Sequence, residues 1–251
     1  MRKGRARADS ADPTFADLVA ADGYDGVLAR TTDATWRAIG ETIATHLDVA
    51  PGRRVLEVGC GAGAVLWTLG ATRASLFGVD YSVPHLMVAR QALVLQRQRH
   101  PVRLCGAEAA SLPFGAGLFD AVYAFGVFMY FSDTEYAERT IGEMLRVAAP
   151  SAGILITEIP DADRREETEA LRRQSGANPS PPHLYYGKEF FGQIAERHRL
   201  RIEVLDAPIP DYANSHLRFS VLLRRPSDAR AGGASDRERN RGSATDGTPR
   251  S

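Results

Sequence analysis

Cysteine and tryptophan are scarce in this sequence, and neither sign of charge is in excess. The only cysteines, Cys60 and Cys105, are too few for a disulfide framework or a cysteine-based zinc site. A reduced, cytoplasmic setting is the simplest interpretation. The 31 basic residues equal the 31 acidic residues in number, so we expect no broad basic face for nucleic acid.

Long apolar runs are missing as well. The longest, residues 121–131 with one glycine inside, is too short to cross a bilayer. The basic N-terminus lacks the apolar stretch that a secretory signal needs. We therefore expect no association with membranes.

The composition divides the chain into a globular middle and two polar ends. Residues 1–13 and 226–251 hold almost no large apolar side chains, so burial cannot offset their ordering entropy and we predict that both are disordered. The middle, residues 14–225, is long enough for one large domain. With 44% hydrophobic and 25% charged residues overall, the composition is that of a globular protein.

Helix-like and strand-like segments alternate along the middle. The predicted order is helix 33–47, strand 55–58, a helix from Val65, strand 76–79, a helix after Ser82, strands 102–104 and 119–125, helix 134–147, strand 153–159, a helix around 190–195, and strands 201–205 and 217–223. Such alternation indicates an α/β fold. We predict a Rossmann-like, doubly wound sheet that is mostly parallel, with an antiparallel C-terminal hairpin and helices on both faces.

Residues 160–187 interrupt this alternation. Residues 161–173 are strongly charged and suit a solvent-facing helix, and residues 175–182 have the composition of a loop. An insertion after the fifth strand lies at the carboxyl edge of the sheet, where open α/β sheets bind ligands. We interpret the segment as a substrate lid.

A glycine-rich turn follows the first strand and carries the strongest local signal. The turn is Gly59-Cys-Gly61-Ala-Gly63, preceded by Glu57 and followed by a helix. Glycines let a ligand approach the backbone closely. The same spacing also fits the relaxed dinucleotide-binding fingerprint, and it is compatible with a structural turn that binds no ligand. Asp80, at the end of the next strand, can accept hydrogen bonds from both hydroxyls of a ribose, or can simply open the following turn.

Further motifs favour one cofactor. Glu108 precedes a Leu-Pro-Phe turn at residues 112–114, Phe119-Asp120 opens the fourth strand, and residues 143–156 add a helix and a strand in sequence. Each motif is common alone, but the ordered set resembles the class I S-adenosylmethionine-dependent methyltransferases over about residues 35–160.

The resemblance implies S-adenosylmethionine as the cofactor. Asp80 resembles the family's ribose-binding acid, and Glu108 stands where many relatives have an aspartate facing the adenine amino group. Tyr81 or Phe125 would pack on the adenine, although aromatic residues beside strands are more often core. The implied cofactor-binding residues are Glu57, Gly59, Gly61, Gly63, Asp80, Tyr81, Glu108, Ala109 and Phe125.

Methyl transfer demands little acid–base chemistry from a protein. The sulfonium is already a good leaving group, so a base is needed only where the acceptor must lose a proton. Candidates near the predicted site are Tyr130, Glu158, His183, Tyr185, Tyr186 and His216. We choose His183 and Tyr130 as catalytic candidates, since an unperturbed histidine titrates near neutrality. No metal is expected.

Several functions remain open at this stage. Aromatic residues stand beside polar ones at 183–191 and 211–219, which favours a small polar organic acceptor, such as a sugar-containing or secondary metabolite. The alternatives are an NAD(P)-dependent oxidoreductase, a non-catalytic nucleoside-binding module, and an RNA or protein methyltransferase. The sequence does not determine the oligomeric state.

Overall fold

The fold was analysed in a computed structural model that describes residues 14–22, 32–96, 102–174, 183–206, 209, 212 and 214–226. The predicted disordered ends and the predicted loop at 175–182 lie outside the described residues, apart from Pro226.

The described strands form a single seven-stranded sheet. They are β1 (Arg54–Val58), β2 (Ser75–Asp80), β3 (Val102–Gly106), β4 (Phe119–Phe125), β5 (Ala148–Pro160), β6 (Arg201–Leu205) and β7 (Arg218–Arg224). Their spatial order is β3-β2-β1-β4-β5-β7-β6. The first five strands are parallel, and β7 runs antiparallel to both β5 and β6. This confirms the predicted mostly parallel sheet with an antiparallel C-terminal hairpin.

The described helices cover both faces of the sheet. They are α1 (Phe15–Ala21), α2 (Asp33–His46), α3 (Ala64–Leu69), α4 (Val83–Gln96), α5 (Thr134–Val147), α6 (Arg165–Gln174) and α7 (Lys188–Arg197). Alternate strand residues point to opposite faces. Val55 and Tyr123 therefore join the apolar cluster under α1–α4, whereas Leu56 and Val122 join the cluster under α5 and α7.

Helix α1 had no counterpart in the sequence-based prediction. Thr14 and Asp17 form a capping box at its start. Leu18 is completely buried, and the ring of Phe15 meets that of Trp36 edge-on at 6.1 Å. The helix ends at Ala21, and its C-cap residue, Asp22, lies against the glycine turn.

The predicted lid is described in part. Helix α6 lies within it and Thr168 is its one buried residue, which agrees with the predicted solvent-facing helix. Strand β5 reaches further toward the lid than predicted, because it continues to Pro160. The role of the segment as a substrate lid remains a prediction.

We expect a methyl group at position 78 to destabilise the fold. A Cβ at Gly78 would lie 2.7 Å from both Cys60 Sγ and Leu66 Cδ1. Overpacking of this kind costs about 1–3 kcal/mol, so Gly78→Ala should lower the free energy of unfolding in urea by that amount. The control is Gly142→Ala in α5, where no atom lies within 4 Å and helix propensity should add about 0.5–1 kcal/mol. An unchanged Gly78→Ala midpoint would contradict this packing.

Candidate active site

The glycine turn runs directly beside the end of β2. The N–H groups of Gly59 and Cys60 donate to the Val79 carbonyl at 2.8 and 2.9 Å. Gly59 and Gly61 have φ angles of +75° and +50°, where glycine is favoured. The turn borders a cavity of about 440 Å³ formed by the carboxyl ends of β1, β2, β3 and β4. Its place is that of the ligand crevice in open α/β sheets.

The structure brings nearly all the predicted cofactor-binding residues to this cavity. Its lining includes Glu57, Gly59, Gly61, Asp80, Tyr81, Glu108, Ala109 and Phe125. Gly63 is not part of the lining. It caps α3 with φ +86°, and a Cβ there would meet Leu93 Cδ1 of α4 at 3.0 Å. Gly63 therefore serves the contact between the two helices.

Asp80 holds the glycine turn in place. Its two carboxylate oxygens accept the N–H of Gly61 at 2.8 Å and the N–H of Ser82 at 2.7 Å. The side chain is largely buried at the cavity wall. Each carboxylate oxygen can accept a second hydrogen bond, so capacity remains for a ribose hydroxyl.

Glu57 lies deeper in the same wall. It is 2% exposed and accepts a hydrogen bond from the Tyr123 hydroxyl at 3.0 Å. Burial raises the pKa of Glu57 well above its ordinary value, and the neighbouring carboxylates of Asp22 and Asp80 raise it further. The physical cause is that ionisation would place a charge in a desolvated position beside two other carboxyl groups.

Asp22 is a cavity residue that the sequence did not reveal. Its carboxylate accepts hydrogen bonds from the N–H of Ala62 and, at 3.4 Å, from that of Ala64. Burial raises its pKa to about 6, against the lowering effect of the two amides and of His85. A Thr-x-x-Asp capping box marks the start of α1 in the sequence, but no local signal places its end against the turn.

The remaining predicted residues also border the cavity. Glu108 accepts a hydrogen bond from the Tyr136 hydroxyl at 2.6 Å. Tyr81 is 77% exposed, whereas Phe125 is buried with its ring 6.0 Å from that of Trp36. Both aromatic residues border the cavity, so the adenine contact predicted for one of them stays a prediction.

The two catalytic candidates meet next to the cavity. Tyr130 lines it and is packed edge-to-face by the His183 ring at 5.4 Å. Burial, reinforced by the charges of Arg172 and Arg218, lowers the pKa of His183 to about 4. His183 Nδ1 is buried without a hydrogen-bond partner. Contrary to the near-neutral titration expected for it, His183 is uncharged at physiological pH.

A buried ion pair lies beyond His183. Arg218 Nη1 meets Glu158 Oε2 at 3.1 Å, and the Ser215 hydroxyl donates to Glu158 Oε1, also at 3.1 Å. Glu158 adopts φ +57° where the β5–β7 register shifts, a strained conformation of a kind that clusters at functional sites. Burial raises the pKa of Glu158, while Arg218 and Ser215 oppose the rise. Nearby, Asn214 Oδ1 is buried with no hydrogen-bond partner.

Three other candidates for a catalytic base contact protein groups outside the cavity lining. Tyr185 donates to Glu169 at 2.7 Å. Tyr186 is fully buried and donates to the Phe128 carbonyl at 2.9 Å. His216 is exposed and lies 3.7 Å from a Glu167 carboxylate oxygen. We therefore assign none of these three to the site.

The described part of the chain contains neither a cluster of metal-ligating side chains nor a membrane-spanning helix. No group of histidine, cysteine, aspartate and glutamate side chains is arranged to hold a metal ion. No described helix combines the length and apolarity needed to cross a membrane.

The segment that forms these walls is similar to known methyltransferases. Residues 56–156 match the family model described as a methyltransferase domain. The demethylmenaquinone methyltransferase of Thermus thermophilus is 36% identical over 142 residues, which cover 55% of this chain and 60% of that protein. The probable tRNA methyltransferase 9B of Mus musculus is 34% identical over 133 residues, covering 53% of this chain and 28% of that protein. The chain thus spans less than two thirds of the length of these curated relatives.

The fold also matches solved structures. Magnesium protoporphyrin IX methyltransferase from Synechocystis, solved with bound S-adenosylhomocysteine (SAH), superimposes with a TM-score of 0.57 over 77% of this chain and 82% of that chain. At 17% identity, this similarity supports the fold alone.

We expect Asp80→Ala to weaken cofactor binding at least about tenfold, because a buried carboxylate that holds both the turn and a ribose hydroxyl is lost. Calorimetric titration with S-adenosylmethionine measures the effect. The control is Asp120→Ala, which removes a carboxylate that accepts the Arg54 N–H at 2.8 Å at the opposite edge of the sheet. Equal affinities in the two variants would contradict the placement of Asp80.

The cavity suits the cofactor of these enzymes. S-adenosylmethionine carries a sulfonium, an ammonium group and several N–H and O–H donors, and the acidic residues Asp22, Glu57, Asp80 and Glu108 line the cavity. His85 is the one basic side chain among the described lining residues. The dinucleotide interpretation is therefore set aside. The similarity of residues 56–156 to the methyltransferase domain family supports the resemblance to class I S-adenosylmethionine-dependent methyltransferases and supports S-adenosylmethionine as the cofactor.

Proposed function

We propose that the chain transfers a methyl group to an oxygen or nitrogen atom of a small polar organic molecule. One observation carries the proposal: two buried polar atoms, His183 Nδ1 and Asn214 Oδ1, have no hydrogen-bond partner. The His183 ring packs against Tyr130, which lines the cofactor cavity. Buried polar atoms nearly always have partners, because leaving one unpaired costs about 1–3 kcal/mol. A bound polar acceptor would satisfy both atoms.

We call the residues around these atoms the acceptor cluster: Tyr130, Glu158, His183, Tyr212, Asn214 and Arg218. The guanidinium of Arg218 lies 5.3 Å from the centre of the Tyr212 ring, and Tyr130 borders the cofactor cavity. The cluster therefore combines aromatic faces with fixed hydrogen-bonding groups, the lining that orients small polar ligands.

The chemistry divides between the cofactor and the chain. The bound cofactor supplies a methyl group already activated toward an in-line displacement. The acceptor cluster orients the acceptor and excludes water from it. Neutral His183 can accept a hydrogen bond from the acceptor, and the Arg218–Glu158 pair holds the wall of the cluster in position.

A small acceptor is favoured over a nucleic acid. The relatives include methyltransferases named for menaquinone and for tRNA, so similarity alone does not choose between them. Glu158 and Arg218 have side chains only 5% and 6% exposed, and basic residues do not outnumber acidic ones. A tRNA-binding surface needs an excess of positive charge.

The direct test uses cofactor labelled in its methyl group. The purified chain is incubated with a panel of phenols, quinols and glycosides and, separately, with total tRNA. We expect label in solvent-extractable, low-mass product. Label in acid-precipitable RNA would overturn the small-molecule assignment.

We expect His183→Ala to lower the turnover of the identified acceptor at least about tenfold while leaving the dissociation constant of the cofactor unchanged. The matched control is His216→Ala, which removes an exposed histidine and should change neither quantity. Because the pKa of His183 is about 4, the wild-type rate should show no titration of this residue between about pH 5.5 and 8. An inflection near 6.5 that disappears in His183→Ala would contradict the assignment.

A further inference from the structure

Asp22 is fixed in place by elements outside the family motifs. It closes α1, where its own N–H donates to the Leu18 and Ala20 carbonyls. Phe15 of the same helix packs against Trp36 and Trp67, with ring centroids 6.1 Å apart in both pairs. The carboxylate is therefore presented by an anchored helix end.

The carboxylate of Asp22 has unused hydrogen-bond accepting capacity on the cavity side. The amides of Ala62 and Ala64 use part of its accepting capacity, and an ionised carboxylate can accept about four hydrogen bonds. It also lines the cavity. A Cβ on Gly61 would overlap Asp22 Oδ1, so the glycine at position 61 leaves room for this carboxylate.

The order of the strands indicates which part of the cofactor lies nearest Asp22. The resemblance assigns Glu108, after β3, to the adenine and Asp80, at the end of β2, to the ribose. The next strand in the sheet is β1, and Asp22 is hydrogen-bonded to the turn that follows this strand. The part of the cofactor that follows the ribose is its methionine portion, which ends in an ammonium and a carboxylate.

We propose that Asp22 binds the α-ammonium group of the cofactor's methionine portion, so that the site distinguishes ligands that keep this portion from nucleosides that lack it. The neighbouring acids are less suited to the role. Glu57 is buried against Tyr123. Asp80 is likewise held by two backbone amides, but the resemblance assigns it to the ribose, so Asp22 is the remaining acid beside the turn that backbone amides hold in a form suited to a cation.

The binding should depend on pH in a defined direction. The groups that face Asp22 are Glu57 of β1, Cys60 of the turn, Asp80 of β2 and His85 of α4. The pKa of Asp22 is about 6 in the absence of ligand, and an ammonium contact requires the ionised form. Affinity for a ligand that carries the ammonium should therefore fall as the pH drops below about 6.

The test compares two ligands that share the nucleoside. SAH carries the amino-acid portion and no sulfonium, and 5′-methylthioadenosine lacks the amino-acid portion. We expect Asp22→Asn to weaken SAH binding at least about tenfold by calorimetry and to leave 5′-methylthioadenosine binding unchanged. Asparagine keeps an oxygen for the Ala62 amide, and the charge-matched control, Glu203→Gln on the edge strand β6, should affect neither ligand.

The proposal has three outcomes that would overturn it. An equal loss for both ligands would mean that Asp22 only shapes the turn. Tighter SAH binding would mean that Asp22 competes with the cofactor's carboxylate for the amides, and unchanged binding would remove Asp22 from recognition.

A measurement on the unmodified protein supplements the variants. Between pH 7.5 and 5, affinity for SAH should decline and affinity for 5′-methylthioadenosine should not. If the affinity of Asp22→Asn for SAH does not decline over this pH range, the titrating group is Asp22 and not His85. An equal decline in affinity for both ligands in the wild type would overturn the proposal.

Discussion

The site depends on two carboxylates that accept hydrogen bonds from backbone amides in and beside the glycine turn. Asp80 approaches from the end of β2 and takes the Gly61 N–H, while Asp22 approaches from α1 and takes those of Ala62 and Ala64. Without these acceptors, largely buried donors at the start of α3 would lack partners. Contacts within the chain therefore fix the turn and the wall of the cavity that it forms.

This arrangement also sets the charge of the cavity. Carboxyl groups converge on a space with one basic side chain among its described lining residues. Burial and mutual repulsion raise the pKa of Glu57 and of Asp22, so each of these carboxyl groups ionises less readily than it would in water. A ligand with a sulfonium and an ammonium relieves this repulsion, which gives a physical reason for a match between this cavity and a cationic cofactor.

The acceptor cluster has a different structural origin. The bulge in β5 turns Glu158 into the protein, and the antiparallel strand β7 brings Arg218 alongside it. His183 reaches the cluster from the segment after the undescribed residues 175–182. The cofactor side is thus built from the parallel half of the sheet, and the proposed acceptor side from the C-terminal hairpin and the inserted segment.

The fold class and most residues of the cofactor cavity could be predicted from the amino-acid sequence. The signals involved are local: apolar runs that end in glycine or aspartate, and a turn whose residues are adjacent in the chain. Parallel register then places Asp80 beside the turn, as Val58 pairs with Val79. Gly63 shows the limit of this reasoning, because its spacing fits the motif while its contacts are with α4.

The remaining features of the site depend on contacts between residues that are far apart in the chain. Asp22 is 40 residues from Ala62 in the chain and Arg218 is 60 from Glu158, and no periodicity records which distant groups meet. Burial likewise changes the pKa of His183, which nothing in the sequence distinguishes from that of an ordinary histidine. The fold buries this side chain near Arg172 and Arg218, and its pKa is lowered to about 4. Charge states and long-range partners depend on packing, and packing is a property of the whole chain.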